Sequence, residues 1–95
     1  MNKYSVTKLP SDILKDISEN HKKLRKSLKL SQAELAARSG ISLGTIKRFE
    51  STGQIALESL LKLAYLLNAL QDFEGVFKRE DTLSEIEKLF TIKNK

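Results

Sequence analysis

Apolar residues recur at helical spacing along nearly the whole chain. Ile13, Ile17, His21, Leu24 and Leu28 fall at successive steps of four, four, three and four, one stripe of a helix opened by Ser11-Asp12 after Pro10. Leu35 with Ala36, and Ile46 with Phe49, repeat the spacing over two shorter stretches, predicted as helices at about 32–39 and 43–51. Leu60, Leu63, Ala64 and Leu67 make the stripe of a fourth helix over Leu57 to Leu67, and Leu70 to Lys78 reads as a fifth. A sixth carries Leu83, Ile86, Leu89 and Phe90 behind the capping-box spacing of Thr82 and Glu85, and the tail TIKNK is expected to fray. Only the first ten residues depart from this period: Tyr4 and Val6 alternate with polar neighbours, the mark of a short strand. The pattern therefore predicts an all-α chain of five to six helices with a short N-terminal strand. It divides into an arm over 1–10, a helical domain over 11–69 and a helical extension over 70–95 continuous with that domain.

The segment SQAELAARSGISLGTIKRFE, residues 31–50, says more. Ser31 and Glu34 have the spacing of a capping box, in which the serine hydroxyl accepts from the Glu34 amide and the carboxylate accepts from the Ser31 amide. Ala36 is small enough to let a second helix cross closely. Gly40 stands where the first helix must end and reverse, a step that favours the left-handed conformation glycine adopts at little cost. Ile41 plugs the turn and Ser42 can cap the next helix. Two short helices joined in this way form a helix-turn-helix, the unit that lays its second helix in the major groove of DNA.

Composition narrows the chemistry. Ninety-five residues with 40% apolar content suit a single core. With no Cys and one His, His21, there is no disulfide framework, no thiolate metal site, and too little to build a catalytic constellation; no metal, cofactor or enzymatic activity is expected. His21 stands where Leu would be ordinary, which favours a partly buried structural histidine over a pH-sensing or ligand-binding one. No apolar run approaches a membrane span, and the N-terminus lacks an apolar signal core, so a cytoplasmic chain with no membrane contact is expected. The net charge of +5 is unevenly spread: residues 1–50 hold eleven Lys/Arg against five Asp/Glu, or +6, and residues 51–95 hold six against seven, or −1. The basic half contains the helix-turn-helix, as phosphate neutralisation requires.

In Gln32, Leu35-Ala36, Gly40-Ile41, Thr45-Ile46 and Glu50 the segment resembles the Xre/Cro-repressor helix-turn-helix family. The resemblance extends to Leu24-Arg25 upstream and to residues 57–64 downstream, about fifty of 95 residues. It implies a compact lambda-repressor-like bundle with the motif on helices two and three. It also implies sequence-specific binding of double-stranded DNA, usually as a two-fold dimer on an inverted repeat. Carried over by position, the groove-facing residues are Ser42, Leu43, Gly44, Thr45, Lys47 and Arg48. The amide side chains usual at the start of the recognition helix are replaced by Leu43 and Gly44. Leu43 can touch only a thymine methyl, and Gly44 admits the backbone closely at a helix cost of about 1 kcal/mol. Arg48 is then the leading candidate for direct readout, bidentate to guanine O6 and N7, with Thr45 next and DNA shape supplying the rest. Gln32 carries over as a phosphate contact, joined by Lys47, Arg38 and Lys29. Arg25 and Glu50 carry over as the ion pair tying helix one to the end of helix three.

The second half has more apolar surface than one buried face needs. Leu66, Leu70, Phe73 and Phe77 are assigned to a homodimer interface that would set two recognition helices about 34–36 Å apart. The extension LNALQDFEGVF and the arm KYSVTKLPSD resemble a subgroup of the family that acts as HipB-like antitoxins beside HipA-type kinase toxins. Three roles stay open: antitoxin and operon autorepressor, phage-type repressor, or an interaction module whose main task is neutralising a HipA-like kinase toxin.

Overall fold

The computed structural model describes residues 7–79 and 86–90. Four α-helices carry the domain: α1 (Pro10–Ser27), α2 (Gln32–Ser39), α3 (Leu43–Thr52) and α4 (Leu57–Leu66), followed by a 3-10 helix, Leu70–Phe73. Residues 86–90 are also helical, and no strand occurs among the described residues. The all-α class and the helix-turn-helix on α2 and α3 agree with the sequence pattern. Most of the N-terminal arm, with its expected strand, lies outside the described residues, as do the Thr82 to Glu85 capping box and the TIKNK tail.

Helix α1 starts one residue earlier than expected. Pro10 takes the first helical position, where its missing N–H would have no helical partner, and the Asp12 carboxylate accepts from the Leu9 N–H at 2.9 Å. Its buried face takes in only the middle of the predicted stripe, His21 with Ile17 and Leu24 half-buried, and shifts toward a polar row. Ser18, His21 and Arg25 are buried, whereas Ile13 and Leu28, at the ends of the stripe, are 43% and 48% exposed. The helix presents this polar row to α3, which ends in a carboxylate, Glu50.

Helix α2 begins with the reciprocal Ser31–Glu34 capping box: the Glu34 N–H donates to Ser31 Oγ at 3.0 Å and the Ser31 N–H to Glu34 Oε1 at 2.8 Å. It ends at Gly40 with φ +77°. Helix α3 closes on a second left-handed glycine, Gly53, with φ +82°. Gly53 has a further reason to be glycine. A Cβ there would sit 2.8 Å from both the Cβ and the carbonyl oxygen of Leu14, so α1 and the end of α3 meet through backbone. Leu35, Ile41, Ile46, Leu63 and Leu67 form the core, with Leu24, Leu30, Ala36 and Ile55 packed against it. The core therefore joins α2, the turn, α3 and α4, and it fixes the two helices of the motif against each other.

The fifth predicted helix, Leu70 to Lys78, is not formed. The chain leaves α4 through Asn68 at φ +60°, makes one 3-10 turn, and reaches Phe77 at φ +69°. A segment this short has little helical stability of its own and depends on packing. Here Phe73 is half-buried while Leu70, Val76 and Phe77 stay exposed, and Gly75 interrupts the run.

Candidate nucleic-acid interface

Local sequence builds the presenting helix. Ser42 Oγ accepts from the Thr45 N–H at 3.1 Å and donates to Thr45 Oγ1 at 2.8 Å, which caps α3 and fixes the Thr45 rotamer. Ile46 and Phe49 point into the core at 0% and 1% exposure. The opposite face is then set by helical geometry: Ser42, Gly44, Lys47, Arg48 and Ser51 are exposed, with Leu43 and Thr45 at its half-buried edges. Nothing lies within 4 Å of where a Gly44 Cβ would stand, and its φ lies outside the left-handed range. The fold therefore has no need of glycine at this position. Arg48 is not free: its Nη2 donates to Gln54 Oε1 in the loop after α3, and the Arg48 carbonyl accepts from the Thr52 and Ser51 hydroxyls at 2.7 and 3.1 Å.

Behind this face sits a buried polar cluster centred on Glu50, whose side chain is 3% exposed. Arg25 approaches it edge-on, donating from Nε to Oε2 and from Nη2 to Oε1, both at 2.9 Å. Its remaining arm, Nη1, donates to the Leu30 carbonyl at 2.8 Å. Gln32 Nε2 also donates to Oε1, at 2.9 Å, and His21 Nδ1–H to Oε2 at 2.7 Å. Each carboxylate oxygen thus accepts two bonds, and one residue ties together α1, the start of α2 and the end of α3. Bidentate Arg–carboxylate geometry of this kind fixes orientation as well as charge.

The environment sets the protonation states. Burial pushes Glu50 up, but hydrogen bonds from Arg25 and Gln32 and the positive charge of Arg25 outweigh it and hold the carboxyl below its ordinary 4.5. Burial pushes His21 down from 6.5, with help from Arg25 and against the attraction of Glu50. The neutral ring with its proton on Nδ1 serves Glu50, leaving Nε2 buried and without a partner among the described residues. Phe49 meets the ring edge-on, with centroids 5.0 Å apart.

The other expected site residues fall in three places. Gln32, assigned to phosphate, has its side-chain amide committed inward to Glu50. Lys47 is exposed on α3, and Lys29 is exposed in the α1–α2 turn at φ +60°. Arg38 lies elsewhere, at the end of α2, where with Glu58, Leu61, Lys62 and Tyr65 it lines a groove of about 520 Å³ against α4. Leu66 and Leu70 line the same groove, and Phe77 is 91% exposed. Phe73 parts from these three. It is half-buried and lines a cleft with α1 and α4.

The helix-turn-helix family model matches residues 22–70, just over half of the chain. The span runs from the middle of α1 to the first residue of the 3-10 helix, and includes every donor and acceptor of the Glu50 cluster except His21. This chain belongs to the Xre/Cro-type helix-turn-helix family. It is a DNA-binding regulator of the kind that family comprises, and the family is not an enzymatic one. No curated protein and no solved structure matched the chain. Among the described residues of this helix-turn-helix protein, no helix is long and apolar enough to cross a membrane, and no group of three or more His, Cys, Asp or Glu could hold a metal.

Three features of the site were not foreseen. Gln54 lies in an unpatterned loop, and only the fold brings it to Arg48. The place of His21 in the Glu50 cluster had a signal, a polar residue inside an apolar stripe, but not a partner. The close approach at Gly53 had none, because glycine after a helix is ordinary.

Proposed function

We propose that this protein is a transcriptional repressor that binds an inverted-repeat operator as a homodimer. The observation that carries the reading is the exposed face of α3, held rigid from behind by the Glu50 cluster and the core. On that face Arg48 reads guanine through its bidentate fork, steadied by Gln54, and Thr45 reads a neighbouring base edge or phosphate. Leu43 and Ser42 flank the base edges, and Gly44 lets the α3 backbone come close to the duplex. Lys47 and Lys29 contact phosphate. The α2 amide end draws a phosphate even though the Gln32 side chain turns inward, and Arg38 has a smaller part because it lines the α2–α4 groove. Leu66, Leu70 and Phe77 supply the apolar surface of a two-fold dimer. Sequences selected from random duplex DNA should share an inverted repeat with half-sites one helical turn apart, and binding should weaken steeply with salt. Sedimentation that finds only monomers at binding concentrations would remove the dimer.

A second reading concerns the biological setting. The groove between α2 and α4 exposes Tyr65, Leu66 and Leu70 in the half of the chain with net charge −1, a surface suited to protein rather than DNA. It favours an antitoxin that represses its own operon and neutralises a HipA-like kinase over a phage-type repressor. Co-purification of a kinase from native lysate, lost on Tyr65→Glu while the dimer persists, would separate the two.

A further inference from the structure

The loop after α3 folds back onto Arg48. Thr52 Oγ1 donates to the Arg48 carbonyl at 2.7 Å and accepts from the Gln54 N–H at 3.1 Å. The side chains close the ring, because Arg48 Nη2 donates to Gln54 Oε1. Gly53, between Thr52 and Gln54, donates its N–H to the Phe49 carbonyl at 2.7 Å and packs against the backbone of Leu14 in α1. The loop is therefore anchored to the domain on one side and to Arg48 on the other. Arg48 and Gln54 both remain exposed.

Hydrogen-bonding capacity decides what such a pair can read. A guanidinium carries several N–H groups; with one given to Gln54, enough remain for both guanine O6 and N7. A glutamine amide has an acceptor end and a donor end. Here Arg48 engages the acceptor, and Nε2, with two N–H groups, makes no bond among the described residues. In the major groove the keto oxygens of guanine and thymine accept where adenine and cytosine present amino donors. Neighbouring base pairs are about 3.4 Å apart, so an amide bonded to the Arg48 fork reaches the next pair. We propose that Gln54 is a second specificity-determining residue: its Oε1 holds the Arg48 fork, and its Nε2 donates to the keto oxygen of a guanine or thymine beside the guanine that Arg48 reads. This role rests on the reading of Arg48 as the guanine contact, and it extends recognition to a base pair contacted from outside α3.

The test uses the full chain: selection from random duplex DNA, then competition binding on the selected site and its single-base variants. The wild type should enrich guanine or thymine beside the guanine of each half-site. Replacing that neighbour by cytosine should weaken binding by about fivefold or more, the cost of one mismatched pair. Gln54→Met, similar in length but without the amide, should lose the neighbour preference. Gln54→Glu keeps an acceptor for Arg48 and puts a second acceptor in place of the donor. It should turn the preference to cytosine or adenine and keep the guanine, a reversal that a merely structural residue would not produce. Gln54 is exposed, so all three chains should unfold at the same temperature. Three results would overturn the proposal and leave Arg48 as the reader of guanine: no neighbour preference in the wild type, the same preference in Gln54→Met, or an equal loss on every sequence, as for an amide on phosphate. A guanine preference that survives Arg48→Ala would remove the reading of Arg48 and the role of Gln54 together.

Discussion

Removing either partner of the Arg25–Glu50 pair should destabilise the fold heavily, and removing both should cost less than the sum. Glu50→Ala strips four donors of their acceptor and leaves Arg25, 6% exposed, with an unpaired charge. Breaking a buried ion pair from one side costs about 3–5 kcal/mol. A chain of this size has about 5–14 kcal/mol in all, so the loss takes at least about a fifth of its stability. Arg25→Ala leaves Glu50 buried but still bonded to His21 and Gln32, so its loss should fall at the lower end of the range. The double variant holds no orphaned charge. Its loss should fall short of the sum of the single losses by about 1–3 kcal/mol, the coupling expected of groups in direct contact. Urea unfolding followed by circular dichroism gives the three values if the slopes agree. If a single variant is unfolded at the start, Arg25→Met with Glu50→Gln closes the same cycle more gently. Strict additivity would refute the claim that these two residues act as one unit.

Acid should weaken the fold in two steps, read from urea midpoints across pH. His21 has a depressed pKa in the folded state, so its contribution is full above 6.5 and declines as pH falls below that value; Glu50, also depressed, contributes fully above 4.5 and declines below it. His21→Leu should remove the upper step and leave the lower one; a wild-type midpoint flat from neutral pH to 4.5 would contradict the His21 assignment, and one that does not fall further below 4.5 would contradict that of Glu50. Gly53→Ala should cost clearly more than Gly40→Ala in thermal unfolding. Both carry the left-handed penalty of about 1–2 kcal/mol, but only Gly53 faces the backbone of Leu14 at 2.8 Å; equal losses would mean that α1 can yield. Gly44→Ala should raise stability by about 0.5–1 kcal/mol while weakening specific DNA binding, and unchanged binding would show that the backbone does not approach the duplex there.

The elements set by local rules were legible in the sequence. The Ser31–Glu34 box, Gly40 and the Ile46/Phe49 face fixed α2 and α3 within a residue, because capping and helical periodicity act over four positions. Residues 70–78 misled for the converse reason: their apolar spacing suits a helix, but only one turn finds packing, and Phe73 turns inward. The stripe on α1 misled more deeply. Periodicity ranks Ile13 and Leu28 above Arg25, yet a buried carboxylate arriving from α3 makes the polar row the buried one. That partner is 25 residues away in sequence, and the resemblance to the family, rather than spacing, indicated it. The inward turn of Gln32 and the Arg48–Gln54 contact are tertiary in the same sense.

The assignment of function rests on whether the exposed face of α3 chooses the DNA sequence. Selection of bound duplexes from a random pool, run at two salt concentrations with the wild-type chain and with Arg48→Ala, measures this directly. The wild type should enrich an inverted repeat with a guanine at one position of each half-site. Arg48→Ala should lose that guanine preference, a discrimination of about 1–3 kcal/mol, while keeping most of its non-specific affinity and salt dependence. A variant that selects the same site as wild type, or weakens equally on all sequences, would show that Arg48 does not read bases and that the central assignment is wrong.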